Sequence, residues 1–293
     1  MVVLESPAKL NIFLEVVNKR NDGYHNIDSV FVSIDLCDTI ELFLRDDDRI
    51  IVETDSEYVP DGKDNLVYKA VKEIKTLAGI QQGIQVYIRK KIPAGGGLGG
   101  GSSNAASVIK ELCSIFNIDV ASEKIKKTAA SLGADIPFFL FGGQIARCRG
   151  IGDVVEPLKV LFNQCFVVVN PGISINTGKV YGKIKVPQLP KNPDDLINAC
   201  INADSKAIGK YLFNRLEEAV VDEYKDIRYI KDELLLLGAQ GVLMSGSGSS
   251  VFALVDNNEK ADIIVHHIRD KHPQWFCSLT KTMPRSDELK SSV

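Results

Sequence analysis

A run of glycines is the feature of this 293-residue sequence that most directly indicates chemistry. Six of the seven residues of Gly95–Gly101 are glycine, and only Leu98 interrupts them. The apolar alternation of residues 84–88 predicts a strand before this glycine loop, and the alanine-rich segment 105–113 predicts a helix after it. Glycine lets main-chain amides approach a ligand, and the start of a helix adds a partial positive charge. The glycine loop is therefore expected to bind phosphate. The alternative, a flexible linker, is not expected directly between a strand and a helix of this kind.

Two well-known phosphate motifs do not describe this loop. Gly95, Gly97 and Gly100 formally satisfy G-x-G-x-x-G, but that match is nearly automatic in so many glycines, and a dinucleotide site also needs an acidic residue after the next strand. A Walker A loop needs Gly-Lys-Ser/Thr, whereas this chain has Gly100-Gly101-Ser102. Phosphate binding therefore stands on the composition and position of the loop alone.

Two further positions carry polar groups that could take part in a reaction. Residues 7–17 alternate as a strand, which places Lys9 and Asn11 on one face. An exposed edge strand is the alternative explanation for such a face. Asp135 precedes Ile-Pro and the apolar residues 138–141, and an isolated aspartate of this kind is usually a cap or turn residue.

Composition and charge exclude several classes of protein. Hydrophobic residues make up 45% and charged residues 25%, as in an ordinary globular protein. The net charge is −3 and there is no basic stripe, so nucleic acid is not an expected partner. The sequence has no signal-peptide pattern and no apolar stretch of about 20 residues, so we expect a cytoplasmic protein that does not act at a membrane. Six cysteines without a C-x-x-C pair predict buried thiols, and a histidine cluster at residues 266–272 reads as a solvated helix end rather than a metal site.

Strands and helices without a regular βαβ alternation predict an α+β fold. We place a soft domain boundary near residue 155, giving domains 1–155 and 156–293. A hairpin is expected from Thr39–Leu44 and Arg49–Thr54, around an acidic turn. Helices are also predicted at Asn65–Ala78, Glu123–Leu132, 194–212 and 226–237. Further strands are predicted at Cys165–Val169, Gly241–Leu243 and Val251–Val255. Between these elements we expect a buried segment at Phe138–Phe141, a turn at Gly150–Gly152 and a connecting region from Gly172 to Pro193.

Four segments together resemble one family. The loop resembles PxxxGLGxSS followed by small residues, with one additional glycine before the two serines. That pattern is the signature of the GHMP kinase superfamily, which is named for galactokinase, homoserine, mevalonate and phosphomevalonate kinases. SPAKLNIFL, LGADIPFFLFGG and LMSGSGSSVFAL are similar to its first motif, its catalytic segment and its third motif, in the family's order. The stretch from about 185 to 235 matches only in kind. The resemblance implies a two-domain GHMP kinase fold with the active site in the cleft between the domains.

The resemblance also implies roles for individual residues. Asp135 would be the general base, which accepts the proton of a substrate hydroxyl while the oxygen of that hydroxyl attacks the γ-phosphate of ATP. Lys9 would keep Asp135 ionised. Asn65, which alone reads as a helix N-cap, and Lys90 match positions that line the adenosine pocket. The residues expected around the phosphates are Pro93, Ala94, Gly95, Gly96, Gly97, Leu98, Gly99, Gly100, Gly101, Ser102, Ser103 and Asn104. Mg²⁺ is expected with ATP, but the sequence singles out no carboxylate ligand for it.

Within the superfamily, DGYH at 22–25 and the expanded GGGLGGGSS are similar to the kinases whose small-molecule substrate is a cytidine diphosphate-linked alcohol. Tyr24 would stack on the cytosine while His25 reads its polar edge, as in recognition of single-stranded bases. The other implied substrate contacts are Asn11, Thr177, which alone reads as an N-cap, and Tyr181. The serine–glycine loop, residues 245–248, would be a second anion-binding turn or simply a hairpin turn.

Three other functions remain open at this stage. A homoserine- or mevalonate-type kinase would not need Tyr24, His25 and Tyr181. A nucleotide-binding sensor of the same fold would no longer transfer phosphate. The presence of both Lys9 and Asp135 disfavours this alternative. A dinucleotide-dependent oxidoreductase would carry a cofactor with its own absorbance.

Overall fold

The computed structural model describes residues 1–284. The polar tail after Met283, expected from the sequence to be loose, lies outside the described residues from position 285 onward. The strands are β1 Val2–Lys19, β2 His25–Arg45, β3 Ile50–Thr54, β4 Gly83–Arg89, β5 Ile145–Gly150, β6 Val154–Pro157, β7 Cys165–Asn170, β8 Phe213–Asn214, β9 Gly241–Met244, β10 Val251–Val255 and β11 Phe276–Lys281. The helices are α1 Leu66–Ala78, α2 Gly100–Ile115, α3 Glu123–Leu132, α4 Ile136–Phe141, α5 Thr177–Lys183, α6 Asp194–Ile201, α7 Ser205–Tyr211, α8 Lys225–Leu236 and α9 Asn258–Lys271. Within residues 1–284, no helix is long and apolar enough to cross a membrane.

Contacts between Cα atoms divide the chain into two compact units. Unit 1 comprises Met1–Ala8, Leu36–Ala94 and Gly99–Gly142. Unit 2 comprises Lys9–Asp35, Gly95–Leu98 and the described residues from Gly143 onward. These units are discontinuous in sequence, and the division of the chain into domains near residue 155 stays a prediction.

The sheet of unit 1 corrects the predicted hairpin. The end of β2 pairs antiparallel with β4, from Thr39 opposite Arg89 to Arg45 opposite Gly83. β3 pairs parallel with β4 on its other side, so β2 and β3 are not neighbours. The acidic turn connects β2 to β3 across the start of β4, where the carbonyl of Asp47 accepts a hydrogen bond from the amide of Gly83 at 2.5 Å.

Helices α1 and α2 pack against each other in unit 1. α1 begins after Asn65, whose side chain accepts the amide of Val67 at 2.9 Å, and ends at Gly79 with φ of 66°. The predicted helix is therefore confirmed, with Asn65 as its cap. α2 buries its small and apolar face, Ala105, Ala106, Val108, Ile109, Leu112 and Cys113, which explains the alanine-rich sequence after the glycine loop.

The sheet of unit 2 is antiparallel, in the order β11-β7-β10-β9. All six residues of β7 are buried, so the strand predicted at Cys165–Val169 is confirmed, and it lies between β11 and β10. Helices α8 and α9 pack on this sheet through apolar residues. The region 172–193, expected to be only a connection, contains α5 because Asn176 caps that helix by accepting the amide of Lys179 at 2.9 Å.

Candidate active site

The glycine loop adopts a backbone that needs glycine at several points. Gly95, Gly97 and Gly99 have φ of 65°, 75° and 71°. A Cβ on Gly97 would lie 2.1 Å from the carbonyl oxygen of Ser245, so that position also requires glycine for close approach. Leu98 is 1% exposed, which fixes the middle of the loop in apolar surroundings. The loop is therefore a defined structure and not a flexible linker.

The loop ends on the start of α2 without a side-chain cap. The N-cap residue is Gly99, which has no side chain to accept the first amides, and the first turn contains no acidic residue. The first four N–H groups of a helix have no partner within the helix. This arrangement of amides and helix dipole fits a polyphosphate, because an anion there meets donors and partial positive charge together.

Ser103 and Asn104 face the protein, whereas Ser102 is half-buried. Ser103 is fully buried and its hydroxyl lies 2.7 Å from that of Ser6. The amide nitrogen of Asn104 donates to Ser6 at 3.0 Å and to Asp38 at 2.9 Å. The main-chain amide of Ser103 donates to the carbonyl of Gly99 at 2.9 Å, so the phosphate contacts expected of Ser103 and Asn104 stay predictions.

The two residues expected at the adenosine pocket are also held by protein groups. The ammonium of Lys90 pairs with Asp38 and donates to Asn104 Oδ1 at 3.1 Å. The side-chain nitrogen of Asn65 donates to the carbonyl of Pro60 at 2.8 Å. Asn65 therefore does act as an N-cap, and the adenosine contacts of Asn65 and Lys90 stay predictions.

The Asp135 turn in unit 1 lies against the first turn of α2. A Cβ on Gly133 would be 3.6 Å from Ser102 Oγ. Asp135 lies in a turn at the N-cap position of α4, as expected of an isolated aspartate, but its carboxylate makes no side-chain capping hydrogen bond. α4 is buried almost throughout, and Lys110 of α2 donates to the carbonyl of Phe139 at 2.6 Å. Unit 1 thus holds a carboxylate turn next to the proposed phosphate-binding amides.

Lys9 and Asn11 form a buried polar pair in unit 2. They are 4% and 1% exposed, so the exposed-edge explanation for this strand face is wrong. Lys9 Nζ donates to Asn11 Oδ1 at 2.5 Å and lies 4.8 Å from the centre of the Phe31 ring. Asn11 Nδ2 donates to Ser29 Oγ at 3.2 Å. These contacts fix both side chains on the same face of β1.

The serine–glycine loop is bonded to the first half of the glycine loop. Ser245 Oγ donates to the carbonyl of Gly97 at 3.0 Å and accepts the amide of Asn11 at 3.3 Å. A Cβ on Gly246 would lie 3.2 Å from Asn11 Oδ1 and 3.5 Å from Lys9 Nζ. Three motifs that are far apart in sequence therefore meet within unit 2.

Two residues that hold the serine–glycine loop were missed by the sequence analysis. The side-chain nitrogen of Asn214 donates to the carbonyls of Met244 and Gly246, both at 2.8 Å. Glu217 Oε1 accepts the amide of Met244 at 2.8 Å. Both residues lie in the stretch that resembled the family only in kind, and no motif or spacing marked them.

The residues expected to bind the base share one region of unit 2. The rings of His25 and Tyr181 stack with centroids 5.5 Å apart. His25 is buried, and this burial, followed by the charge of Lys19, lowers its pKa. Tyr24 is 62% exposed. Thr177 is the first residue of α5 rather than its cap, and its hydroxyl lies 2.8 Å from that of Ser247.

Within residues 1–284, no group of three or more histidine, cysteine or acidic side chains could hold a metal ion. The acidic turn is occupied by ion pairs, since Asp47 binds Arg45 and Arg49 at 2.6 Å. His267 and His272 lie near Glu233, at 3.1 and 3.5 Å. The protein groups described here therefore identify no ready-made metal centre.

Comparison with known proteins gives the same class as the site. The sequence model of the GHMP kinases N terminal domain matches residues 65–143, and that of the GHMP kinases C terminal matches residues 196–274. A 4-diphosphocytidyl-2-C-methyl-D-erythritol kinase of Clostridium botulinum (strain Hall) is 38% identical over 275 residues, which cover 93% of this chain and 98% of the relative. The kinase of the same name from Geobacillus sp. (strain WCH70) is 36% identical, with 94% and 95% covered.

Solved structures agree. A crystal structure of 4-(cytidine 5'-diphospho)-2C-methyl-D-erythritol kinase has a TM-score of 0.81 and 29% identity, covering 97% of this chain and 100% of that one. Homoserine kinase from Cytophaga hutchinsonii shares the fold, with a TM-score of 0.75 at 20% identity, covering 97% and 95%. The fold and the site thus define an α+β kinase of the GHMP type, a class that uses ATP. The chain belongs to the 4-diphosphocytidyl-2-C-methyl-D-erythritol kinase family of the GHMP kinases.

Proposed function

We propose that this chain transfers the γ-phosphoryl group of ATP to the 2-hydroxyl of 4-diphosphocytidyl-2-C-methyl-D-erythritol, a step of the methylerythritol phosphate route to isopentenyl diphosphate. The observation that carries the proposal is the uncapped start of α2, which lies next to the Asp135 turn in unit 1. The names of the relatives identify the alcohol, and the aromatic pair of unit 2 suits its cytosine.

The amides of residues 95–102 would bind the triphosphate. ATP bound there supplies the phosphoryl group, and Mg²⁺ would accompany it as the counter-ion of the phosphates. Since phosphoryl transfer is largely dissociative, holding the phosphates and the alcohol in line provides much of the rate. Fixed main-chain donors suit that task because they need no rearrangement during the reaction.

Asp135 would orient the substrate hydroxyl and accept its proton late in the transfer. Lys9 would stabilise the negative charge that develops on the transferring group, as a fixed cation does in a site that excludes water. The side-chain oxygen of Asn11 accepts a hydrogen bond from the Lys9 ammonium and so fixes the position of that positive charge. The proposal therefore requires Lys9 and Asp135 to act on the same transferring group.

The substrate side would be read by Tyr24, His25 and Tyr181. A neutral imidazole carries one donor and one acceptor, which matches the mixed polar edge of cytosine. Thr177, next to the serine–glycine loop through Ser247, would contact the diphosphate of the substrate.

The test is an assay of ADP formation with a panel of alcohols: the cytidine substrate, homoserine and mevalonate. We expect turnover with the cytidine substrate only.

Asp135→Asn should lower kcat by about 10² or more, while the dissociation constant for ATP stays within twofold of wild type. Asp119→Asn is the matched control, since Asp119 is an exposed turn residue of the same unit, and it should keep wild-type kcat. Preference for homoserine or mevalonate would reject the substrate, and near-normal turnover by folded Asp135→Asn would remove Asp135 from the role of base.

A further inference from the structure

A single buried carboxylate in unit 1 accepts hydrogen bonds from residues on both sides of the glycine loop. Asp38, in β2, is 0% exposed. Its Oδ1 accepts the main-chain amides of Lys91 and Ile92, at 2.8 and 2.9 Å, just before the loop. Its Oδ2 accepts Asn104 Nδ2 at 2.9 Å, just after the loop, and pairs with the ammonium of Lys90. Nothing in the spacing of the sequence marked Asp38, because it lies more than 50 residues before the groups it binds.

The partners of Asp38 extend this network to the first turn of α2. The oxygen of Asn104 accepts from Lys90 at 3.1 Å, and its nitrogen donates to Ser6 at 3.0 Å. The ammonium of Lys90 lies 3.3 Å from the point where a Cβ on Gly100 would be. The Lys90 side chain is only 8% exposed, so its charge depends on Asp38 for compensation.

We propose that Asp38 is a positioning residue for nucleotide binding: by holding the segments before and after the glycine loop, it fixes the loop amides in the arrangement that receives the phosphates. This inference rests on the proposed function, since it assigns the same loop to ATP. A loop of six glycines loses much conformational entropy when it becomes ordered. A loop ordered in advance by the protein spares the ligand that loss and therefore binds more tightly.

A carboxylate is required at position 38 because every group facing it is a donor. Asparagine has one acceptor oxygen, and its NH₂ group would meet the Lys90 ammonium or the amides of Lys91 and Ile92. Asp38→Asn is nearly isosteric, yet it leaves a donor facing a donor and a buried ammonium without its counter-charge.

The experiment is isothermal titration calorimetry of the full chain with ADP and, separately, with the cytidine substrate, for wild type and Asp38→Asn. Asp28→Asn is the matched control: Asp28 also lies in β2 and is 13% exposed, but it pairs with Arg147 at 2.6 Å in unit 2. We expect Asp38→Asn to weaken ADP binding by about tenfold or more, with unchanged stoichiometry and with binding of the cytidine substrate within twofold. Asp28→Asn should bind both ligands as wild type does.

The outcomes separate positioning from general destabilisation. Irreversibly misfolded protein would lower the stoichiometry without changing the dissociation constant of the remaining folded protein. Reversible unfolding would weaken the binding of both ligands by the same factor, whereas loss of positioning weakens the binding of ADP alone. ADP binding by folded Asp38→Asn within twofold of wild type would overturn the role of Asp38. If Asp38→Asn does not fold, Ser6→Ala is measured in its place. Loss of the Ser6 hydroxyl, which contacts both Asn104 and Ser103, should weaken ADP binding about threefold. An unchanged dissociation constant for ADP would overturn the inference. Wild-type protein that bound no ADP would overturn both this role and the proposed function.

Discussion

The imidazole of His25 stacks on the phenol ring of Tyr181, with ring centroids 5.5 Å apart and an interplanar angle of 26°. One ring follows the exposed Tyr24 at the start of β2, and the other belongs to the short helix α5. The sequence separates these rings by more than 150 residues, yet unit 2 places them together. An aromatic surface of this kind can take up a flat base, because every base has a face that stacks.

The first prediction concerns the affinity for the cytidine substrate. Stacking of a base on an aromatic side chain contributes about 1–3 kcal/mol, so Tyr181→Leu should raise the KM for the cytidine substrate by roughly 5- to 150-fold. The KM for ATP should stay the same. Tyr58→Leu is the control, because Tyr58 is 78% exposed and belongs to unit 1. Steady-state kinetics with each substrate varied in turn would check this, and an equal rise in both KM values would argue against a base-stacking role for Tyr181.

The second prediction concerns pH. Burial, and after it the charge of Lys19, holds the pKa of His25 below the ordinary value of 6.5. The imidazole is therefore neutral at pH 7 and becomes charged only at lower pH, where it loses its acceptor nitrogen. We expect the KM for the cytidine substrate to be constant from about pH 8 to 6.5 and to rise below that range. His25→Gln keeps a donor and an acceptor without titrating, so its profile should be flat; a break above pH 6.5 in wild type would contradict this assignment.

Local patterns in the sequence were sufficient for several elements of the fold. Capping by Asn65, the apolar spacing of α1 and the buried run at Cys165 each depend on residues close in sequence, and these predictions are confirmed. The predicted hairpin from Thr39–Leu44 to Arg49–Thr54 was wrong, because β4, which begins only at Gly83, takes the place between the two strands. Strand alternation shows which face is buried but does not show which strand is the neighbour.

The sequence predicted the parts of the site that lie in one contiguous motif. It did not predict the residues that hold those parts in place from distant positions in the chain. The glycine loop could be found because its phosphate-binding groups belong to the main chain of one segment. Asp38 and Asn214 act through hydrogen bonds to residues 30 or more positions away, and a single Asp or Asn carries no pattern of its own. The residues that position the reacting groups are thus less visible in sequence than the groups themselves.

The third prediction concerns a buried ion pair that supports unit 2. Glu15 is 0% exposed and binds Arg215 at 2.7 Å. Burial alone would raise the pKa of Glu15, but hydrogen bonds from Arg215, Lys191 and Val16 outweigh it, so the pKa lies below its ordinary value of 4.5. Glu15→Gln should lower the free energy of unfolding by about 3–5 kcal/mol at pH 7.

The pH dependence of that effect has a definite sign. Because the folded-state pKa of Glu15 is lowered, its stabilising contribution is complete above about pH 4.5 and is lost as the pH falls through the folded value. Urea denaturation at pH 7 and pH 3 should therefore show a gap between wild type and Glu15→Gln that narrows in acid. Glu123→Gln, which touches only an exposed i,i+3 pair, should change stability little. A gap that widens in acid would contradict the stabilising role of the Glu15 carboxylate.

The fourth prediction separates glycines needed by the fold from a glycine needed by the ligand. A Cβ on Gly97 would lie 2.1 Å from Ser245 O, so Gly97→Ala should be destabilised or fail to fold. Gly101 lies in the first turn of α2, and a Cβ there would meet no atom within 4 Å. Since alanine favours a helix over glycine by about 0.5–1 kcal/mol, Gly101→Ala should keep or increase its melting temperature. If phosphates approach this turn, the added methyl group should nevertheless raise the KM for ATP by about tenfold while the KM for the cytidine substrate stays constant. A stable Gly101→Ala protein with wild-type ATP kinetics would place the phosphates elsewhere.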